Sequence, residues 1–208
     1  MSTRQVSREQ GFTLIELMLA LSIVAALLAV TFGGLRVGLA AWRQGEDRAE
    51  AQQHVRSLVH VLGRSLASAY PYLATEADSA QPVVLFQGTS DRLALVTTAP
   101  PFPNAVAVAF TAVMLALEGD ESPALAVRQK VLPNRDPFEV VKPILLDPAV
   151  IGVRFRFLRD AAGAWEERWD AAIEQRLPRA VEIILTTRLG GRTREHPPLT
   201  VSLPVSGS

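Results

Sequence analysis

The chain has 208 residues and no cysteine, which excludes a disulfide framework and a thiolate metal site. It has no excess of charge of either sign, because 21 Lys and Arg residues balance 21 Asp and Glu residues. That balance argues against nucleic acid as a partner. Proline is absent before Pro71, although the chain contains 14 prolines. Since proline breaks helix interiors, the sequence permits one long helix up to Tyr70 and predicts turns and strands afterwards.

An apolar segment near the N-terminus has the length of a membrane span. From Leu17 to Leu35 the sequence has 19 residues without a formal charge, and a helix of that length reaches about 28 Å. Glu16 immediately precedes this run. A carboxylate at mid-membrane costs about 2.5 to 3.5 kcal/mol on insertion scales, so a charge kept beside such a segment points to a function.

Beyond Arg36 the helical pattern becomes amphipathic. Apolar residues recur at spacings of three and four, which predicts one buried face on the continuing helix. These residues are Val55, Leu58, Val59, Leu62, Leu66 and Ala69. Four glycines stand at the junction with the apolar segment, and because glycine destabilises helix interiors we expect local bending or unwinding there. They are Gly33, Gly34, Gly38 and Gly45.

After Pro71 apolar residues alternate with polar ones, as in half-buried strands. The clearest stretches are VRFRFL (153–158), VEIILTT (181–187) and LTVSLPV (199–205). Gly190 and Gly191 predict a turn between the last two. Further candidate strands are Val83–Phe86, Arg92–Thr98, Ala105–Leu117 and Ala124–Val131. Strands joined by turns favour an antiparallel sheet, so the expected fold class is α+β, with one long helix packed on that sheet.

The N-terminal residues resemble the type IV prepilin signal that pilins and type II secretion pseudopilins share. A short polar leader, MSTRQVSREQG, precedes GFTLIEL and the apolar helix. The resemblance implies cleavage between Gly11 and Phe12 by a membrane prepilin peptidase, which also methylates the new amino group of Phe12. Glu16 would pair with such an amino group on a neighbouring subunit and fix the register of the helices. The alternative is that Glu16 only reaches the membrane interface.

Residues 150–187 resemble the minor pseudopilin J family of type II secretion, with a strand, a Gly-x-Trp turn, a second Trp, a Leu-Pro corner and an apolar strand. LFQGTSDRLALVTTAP upstream is similar to that family too. The resemblance implies a pilin-like fold, an inner-membrane anchor with a periplasmic domain, and partnership with minor pseudopilins I and K. The expected domains are a leader (1–11), a transmembrane or filament-core helix (12–35), its amphipathic continuation (36–70) and an antiparallel β domain (71–208).

Two other functions stay open on the sequence alone. One is a minor type IV pilin for pilus assembly, adhesion or DNA uptake, and the other is a signal-anchored periplasmic ligand-binding module. An enzyme is not expected, since His54, His60 and His196 form no metal-ligand spacing and no nucleophile motif is present. No cofactor is predicted either.

Several polar and aromatic positions have two interpretations each. The turn 118–122 (EGDES) is expected at a hairpin tip, and its carboxylates either bind calcium or form an ordinary solvated turn. Trp165 and Trp169 either anchor a partner or, more commonly in such turns, cover their own core. Arg154 and Arg156 are expected on a solvated strand face, with a subunit contact as the alternative. The links 74–82 and 134–143 are interface loops or surface variation.

Overall fold

The computed structural model describes residues 13–75, 82–189 and 191–204. The elements in chain order are α1 (Leu14–Ala67), β1 (Leu73–Ala74), β2 (Val83–Val84), β3 (Phe86–Gly88), β4 (Arg92–Thr97), β5 (Thr111–Glu118), β6 (Ala124–Val131), β7 (Leu145–Asp147), β8 (Val150–Leu158), β9 (Trp165–Glu166), β10 (Trp169–Asp170), α2 (Ala171–Glu174), β11 (Ala180–Leu189), β12 (Arg192–Glu195) and β13 (Leu199–Ser202). The chain divides into two compact units between Glu50 and Ala51. The first contains the beginning of α1, and the second contains the rest of α1 and every strand.

Helix α1 runs without interruption through all four glycines of the junction. The expectation of unwinding there was wrong. A Cβ added at any of these glycines would meet nothing within 4 Å, so no packed neighbour pulls the backbone away from helical geometry. The glycines therefore lower the intrinsic stability of the helix by about 1 kcal/mol each without breaking it.

The C-terminal end of α1 is fixed to strand β4. The Thr97 hydroxyl donates to the carbonyl of Ser65 at 2.8 Å, and the carbonyl of Ser68 lies 3.1 Å from the same oxygen. The last carbonyls of a helix have no partner within the helix, and the Thr97 hydroxyl satisfies that of Ser65. The helix ends at Ala67, three residues before the expected end, and Pro71 follows shortly afterwards.

Six strands form one antiparallel sheet in the order β10-β3-β4-β5-β6-β7. Strand β6 has the predicted bounds, and β4 ends one residue before the predicted end. The predicted strand Ala105–Leu117 is confirmed from Thr111 onward, and its first six residues were wrong, because β5 is Thr111–Glu118. Asn104 explains the difference: its side-chain amide donates to Thr111 Oγ1 at 2.7 Å and its side-chain oxygen accepts from Gln129, which holds the preceding segment as a loop.

The predicted strand Val83–Phe86 is two strands. Residues Val83–Val84 form β2, which pairs with β1 in a small two-stranded sheet. Residues Phe86–Gly88 form β3 in the six-stranded sheet. The change of partner falls at Leu85, whose backbone N–H donates to the carbonyl of Tyr72 at 2.9 Å.

The other large sheet has five strands around β11. Strands β12, β8 and β13 all pair with β11, and β9 pairs with β8. The apolar side of the predicted alternation is confirmed, since Phe155, Phe157, Val181 and Ile183 are all buried, but the polar Glu182 is buried as well. The turn at Gly191, with φ of 73°, leads from β11 into β12. The prediction that this turn joins β11 directly to β13 was therefore wrong. Gly190 lies outside the described residues.

The main core joins both large sheets and α1. Leu58, Leu62 and Leu66 of α1 pack with buried apolar residues from the inner faces of the sheets. A second, smaller cluster lies on the opposite face of the six-stranded sheet. Phe138, from the 134–143 link, packs against this cluster, so that link covers the sheet. Of the 74–82 link, residues 76–81 lie outside the described part.

Candidate assembly site

The N-terminal end of α1 carries a capping box. One oxygen of the Glu16 carboxylate, Oε2, accepts from the backbone N–H of Thr13 at 2.9 Å and from the Thr13 hydroxyl at 2.9 Å. The backbone N–H of Glu16 donates in return to Thr13 Oγ1, with a distance of 3.4 Å. This reciprocal arrangement satisfies two of the helix N–H groups that lack intrahelical partners.

Thr13 is part of this capping box, and the sequence analysis did not identify it. The signal was present, because Thr, two residues and Glu before an apolar run is the capping-box pattern. The predicted cleavage and methylation residues, Gly11 and Phe12, lie outside the described residues. The structure therefore places Glu16 against Thr13 and leaves its pairing with an amino group a prediction.

The apolar part of α1 presents its side chains outward all around the helix. The segment from Leu14 to Trp42 is long and apolar enough to cross a membrane, and none of its most apolar window is buried. Leu14 is 78% exposed and Val30 is 75% exposed. Burying an apolar surface contributes about 25 cal/mol per Å², so contact with lipid or with other apolar helices would stabilise this segment.

Two hydroxyl side chains within this segment donate to backbone carbonyls of the same helix. The Ser22 hydroxyl donates to the carbonyl of Leu19, and the Thr31 hydroxyl donates to the carbonyl of Leu27, both at 2.8 Å. Hydrocarbon offers no hydrogen-bonding partners, so such internal bonds suit a helix in a membrane. Trp42, at the end of the segment, is 73% exposed, and tryptophan is enriched where membrane meets water.

The two tryptophans of the second unit belong to its own structure. Trp169 is 2% exposed, and its indole N–H donates to the carbonyl of Arg176 at 3.2 Å. Trp165 is half-buried on β9, with the Arg156 guanidinium 5.8 Å from its ring. The interpretation as core residues is confirmed for Trp169, and Trp165 covers the edge of the five-stranded sheet.

The outer face of that sheet is only partly solvated. Arg154 is exposed, as expected, but Arg156 donates to Glu182 Oε1 at 2.7 Å. The Glu182 side chain is 8% exposed, because the guanidinium lies over it. The Arg156 side chain is still 37% exposed, so the expected solvated face holds for Arg156, which also neutralises Glu182 on the neighbouring strand.

A second arginine network surrounds Trp169. Arg159 pairs with both Glu166 and Glu174, and its guanidinium lies 5.1 Å from the Trp169 ring centroid. The hydrogen bonds that Arg159 donates to Glu166 and Glu174 raise the pKa of Arg159, and the bond to Glu174 lowers the pKa of that carboxyl. These charges fasten β9 and α2 to the end of β8.

The acidic turn lies at the tip of the β5–β6 hairpin, as predicted, with Gly119 at φ of 92°. The Glu118 carboxylate is held by Arg128, with Arg128 Nη1 at 2.7 Å from Oε1. That hydrogen bond holds the pKa of Glu118 below its usual range. Within the described residues no cluster of three metal-ligating side chains occurs. The arrangement gives Glu118 a structural partner within the chain.

The histidines make separate contacts. His54 on α1 lies 2.8 Å from Asp147 Oδ2, and Asp147 also accepts from the backbone N–H of Ala149 at 3.0 Å. His196 lies 2.8 Å from the Thr187 hydroxyl. Burial, followed by the charge of Arg194, lowers the pKa of His196. None of these contacts brings two histidines together.

A surface hollow of about 260 Å³ lies beside strands β3 and β10. Its lining includes Thr89, Arg92, Arg168 and Asp170. Pockets for small organic ligands usually have about 300 to 1,000 Å³ and are mainly apolar. This hollow gives little support to the ligand-binding alternative.

Comparison with known proteins gives two family matches. Residues 33–196 match the family model described as "Type II secretion system (T2SS), protein J", and residues 6–32 match the "Prokaryotic N-terminal methylation motif". A type II secretion system protein J from Xanthomonas campestris is 29% identical, over 96% of this chain and 95% of the relative. Another from Klebsiella pneumoniae is 27% identical, over 91% of this chain and 94% of the relative.

Proposed function

Since the chain belongs to the type II secretion system protein J family and is a minor pseudopilin, we propose that it is a structural subunit at the tip of the pseudopilus. There it helps folded proteins to leave through the outer membrane. Members of this family assemble with other pseudopilus components and are not known as enzymes. The proposed partners are the I-type and K-type minor pseudopilins, through helix packing and a surface of the sheet domain.

The apolar segment of α1 anchors the chain, and the proposed orientation puts the second unit in the periplasm. Residues 6–32 of this chain match the N-terminal methylation motif, and that match runs into the exposed apolar helix, which supports this anchoring. We expect a prepilin peptidase to cut between Gly11 and Phe12 and to methylate the new amino group of Phe12. The apolar helix then stays on the mature protein and stores it in the inner membrane until assembly.

Glu16 is proposed as the residue that sets the register of assembly. Thr13 donates two hydrogen bonds, both to Oε2 of Glu16. Within the described part of the chain, no group donates to the other oxygen, Oε1. A carboxylate accepts about four hydrogen bonds, so the capping box leaves capacity for one ammonium group. Pairing with Phe12 of a neighbouring subunit would fix the axial position of helices whose apolar contacts alone tolerate sliding. This capped carboxylate at the start of an exposed apolar helix is the observation that carries the proposal.

The experiment compares Glu16→Ala with Glu16→Gln in full-length chains. Mass analysis of the mature N-terminus is expected to find N-methyl-phenylalanine at Phe12 in both variants. Recovery of the chain with other pseudopilins is expected to fall at least about tenfold in Glu16→Ala. The substitution would leave the neighbouring ammonium group unpaired in lipid, which costs more than about 1.4 kcal/mol. Thr13→Ser, which keeps the hydroxyl, is the matched control. Normal secretion by a chain that still carries residues 1–11 would overturn the proposal.

A further inference from the structure

The surface hollow beside β3 and β10 lies at one edge of the six-stranded sheet. Its volume of about 260 Å³ is below the usual range for organic ligands and leaves room for a small group. Gly88 and Trp169 are buried and form its floor. The other residues that line it are all polar, and they are Gln87, Thr89, Arg92, Arg168 and Asp170. We call this space the edge hollow.

The strand register brings Arg168 and Arg92 to the two sides of Thr89. Strand β10 is antiparallel to β3, with Trp169 opposite Gly88. Arg168 is therefore the neighbour of Thr89, because these are the next residues along the two strands. On the other side, the backbone N–H of Thr89 donates to the carbonyl of Arg92 at 2.8 Å. Since neighbouring strands lie about 4.8 Å apart, the backbones of the two arginines are only about 10 Å apart.

The three residues of this row lie on the outer face of the sheet. Trp169 packs in the main core, and successive side chains along a strand point to opposite faces. The side chain of Arg168 therefore points away from the core, as do those of its row neighbours Thr89 and Arg92, and all three line the edge hollow. Two guanidinium groups thus face one small space from opposite sides.

Neither of these guanidinium groups forms an ion pair within the described residues. No carboxylate of that part of the chain lies within 4 Å of Arg92 or Arg168. Arg92 Nη2 contacts the sulfur of Met114 at 3.8 Å, and a thioether is only a weak acceptor. On the same face of the sheet, by contrast, Arg128 is paired with Glu118.

Two carboxylates near the edge hollow already accept hydrogen bonds within the chain. Asp170 Oδ1 accepts from the backbone N–H of Ala172 at 3.0 Å and so caps α2. Asp91 Oδ1 accepts from the Thr89 hydroxyl at 2.8 Å. Asp170 also lines the hollow, so its single negative charge reduces the attraction of the two arginines for an anion without cancelling it.

We propose that the edge hollow binds a small oxyanion between the guanidinium groups of Arg92 and Arg168. A guanidinium donates paired hydrogen bonds to the oxygens of a carboxylate or phosphate group, and such charge-assisted bonds are stronger than neutral ones. An oxyanion above Thr89 also relieves the repulsion between the two arginines. Its source is either a carboxylate of a protein that contacts this edge or a free ion such as phosphate. The inference uses only residues of the second unit and does not rest on the proposed function.

Protection from phenylglyoxal, which modifies accessible guanidinium groups, tests the site in the full-length chain purified in detergent. Peptide mass spectrometry measures the modification rate of each arginine separately. Sodium phosphate at about 20 mM is expected to slow modification of Arg92 and Arg168 at least about threefold, because only the unoccupied fraction reacts. Arg192 and Arg194, on exposed β12, are internal controls and should change by less than about 1.5-fold at matched ionic strength. Equal protection of all four arginines, or of none, would overturn the proposal.

Two substitutions should change the binding of phosphate in opposite directions. Arg168→Gln removes one of the two guanidinium groups, so protection of Arg92 should fall below about 1.5-fold. Asp170→Asn removes the opposing charge and keeps an oxygen that can cap α2, so half-maximal protection should need at least about twofold less phosphate. Arg192→Gln is the matched control and should leave protection of Arg92 unchanged, and circular dichroism checks that each variant is folded. Full protection of Arg92 in folded Arg168→Gln would show that the two arginines do not share a site.

Membranes from cells that make the chain at its natural level distinguish the two sources of the oxyanion. After washing in phosphate-free buffer, slow modification of Arg92 and Arg168 that added phosphate does not change indicates a protein carboxylate in the edge hollow. Fast modification that added phosphate slows indicates a free ion. Both results support the site, whereas fast modification that phosphate does not slow would contradict it.

Discussion

Gly88 on β3 lies where the backbone approaches the ring of Phe157 most closely. A Cβ built on Gly88 would lie 2.2 Å from Cζ of that ring and 2.8 Å from Cε1. Optimal separation between carbon atoms is about 3.5 to 4.0 Å. Phe157 is fully buried and meets the edge of Phe86, with ring centroids 6.1 Å apart. Because the ring has no free space to enter, we expect Gly88→Ala to lower the free energy of unfolding by about 1 to 3 kcal/mol.

Gly63→Ala is the matched control for this substitution. A Cβ on Gly63, in the interior of α1, would lie 3.7 Å from Cδ2 of Leu199, which is ordinary van der Waals contact. Alanine stabilises a helix interior by about 0.5 to 1 kcal/mol relative to glycine, so this variant should be more stable than wild type. The two changes add the same methyl group and are expected to have opposite effects.

Urea unfolding of the 51–208 fragment, followed by circular dichroism, measures both effects. With an m-value of about 2 kcal/mol per M, the Gly88→Ala midpoint should fall by about 0.5 to 1.5 M. Adding Phe157→Leu should recover part of the loss, because a smaller side chain leaves room for the methyl group. An unchanged or higher midpoint for Gly88→Ala would refute the argument that the ring requires glycine at this position.

Three further predictions concern buried polar contacts. Arg156→Ala should lower the free energy of unfolding by about 1 to 3 kcal/mol in urea titrations, because it leaves the Glu182 carboxylate unpaired. The double variant Arg156→Met with Glu182→Leu, which removes both charges, should have a free energy of unfolding closer to that of wild type. Asp147→Ala should cost about 1 to 3 kcal/mol in the same assay, because Asp147 accepts from a backbone N–H and contacts His54. The pKa of His196 is lowered in the folded chain, so the unfolded chain takes up a proton first as the pH falls below about 6.5, and stability should decline there. Urea midpoints at about pH 7.5 and about pH 5.5 should differ less in His196→Gln than in wild type.

The fold was predictable where one pattern continues over many residues. Strands β6, β8 and β11 have eight to ten residues each, and their alternation is long enough to define a face. Strands β1, β9 and β10 have two residues each, which is too short for any period to appear. They form because neighbouring strands offer backbone partners, and the sequence analysis did not identify them.

In the candidate site too, the residues that could be predicted are those that belong to a local sequence pattern. Glu16 was identifiable because a single charge stands beside 19 uncharged residues. Thr13 was also within reach, since its capping partner lies only three residues away.

The sequence by itself determined the apolar helix, the charged residue at its start and the alternating strands, because these depend on residues within a few positions of one another. Only the tertiary structure decided that Glu182 is buried under Arg156, that His54 meets Asp147 and that Thr97 closes the end of α1. These partners are 26, 93 and 32 residues apart. Whether two such residues meet depends on the order and register of the strands in the sheets. Backbone pairing and the shared core set that order, and no local sequence period does.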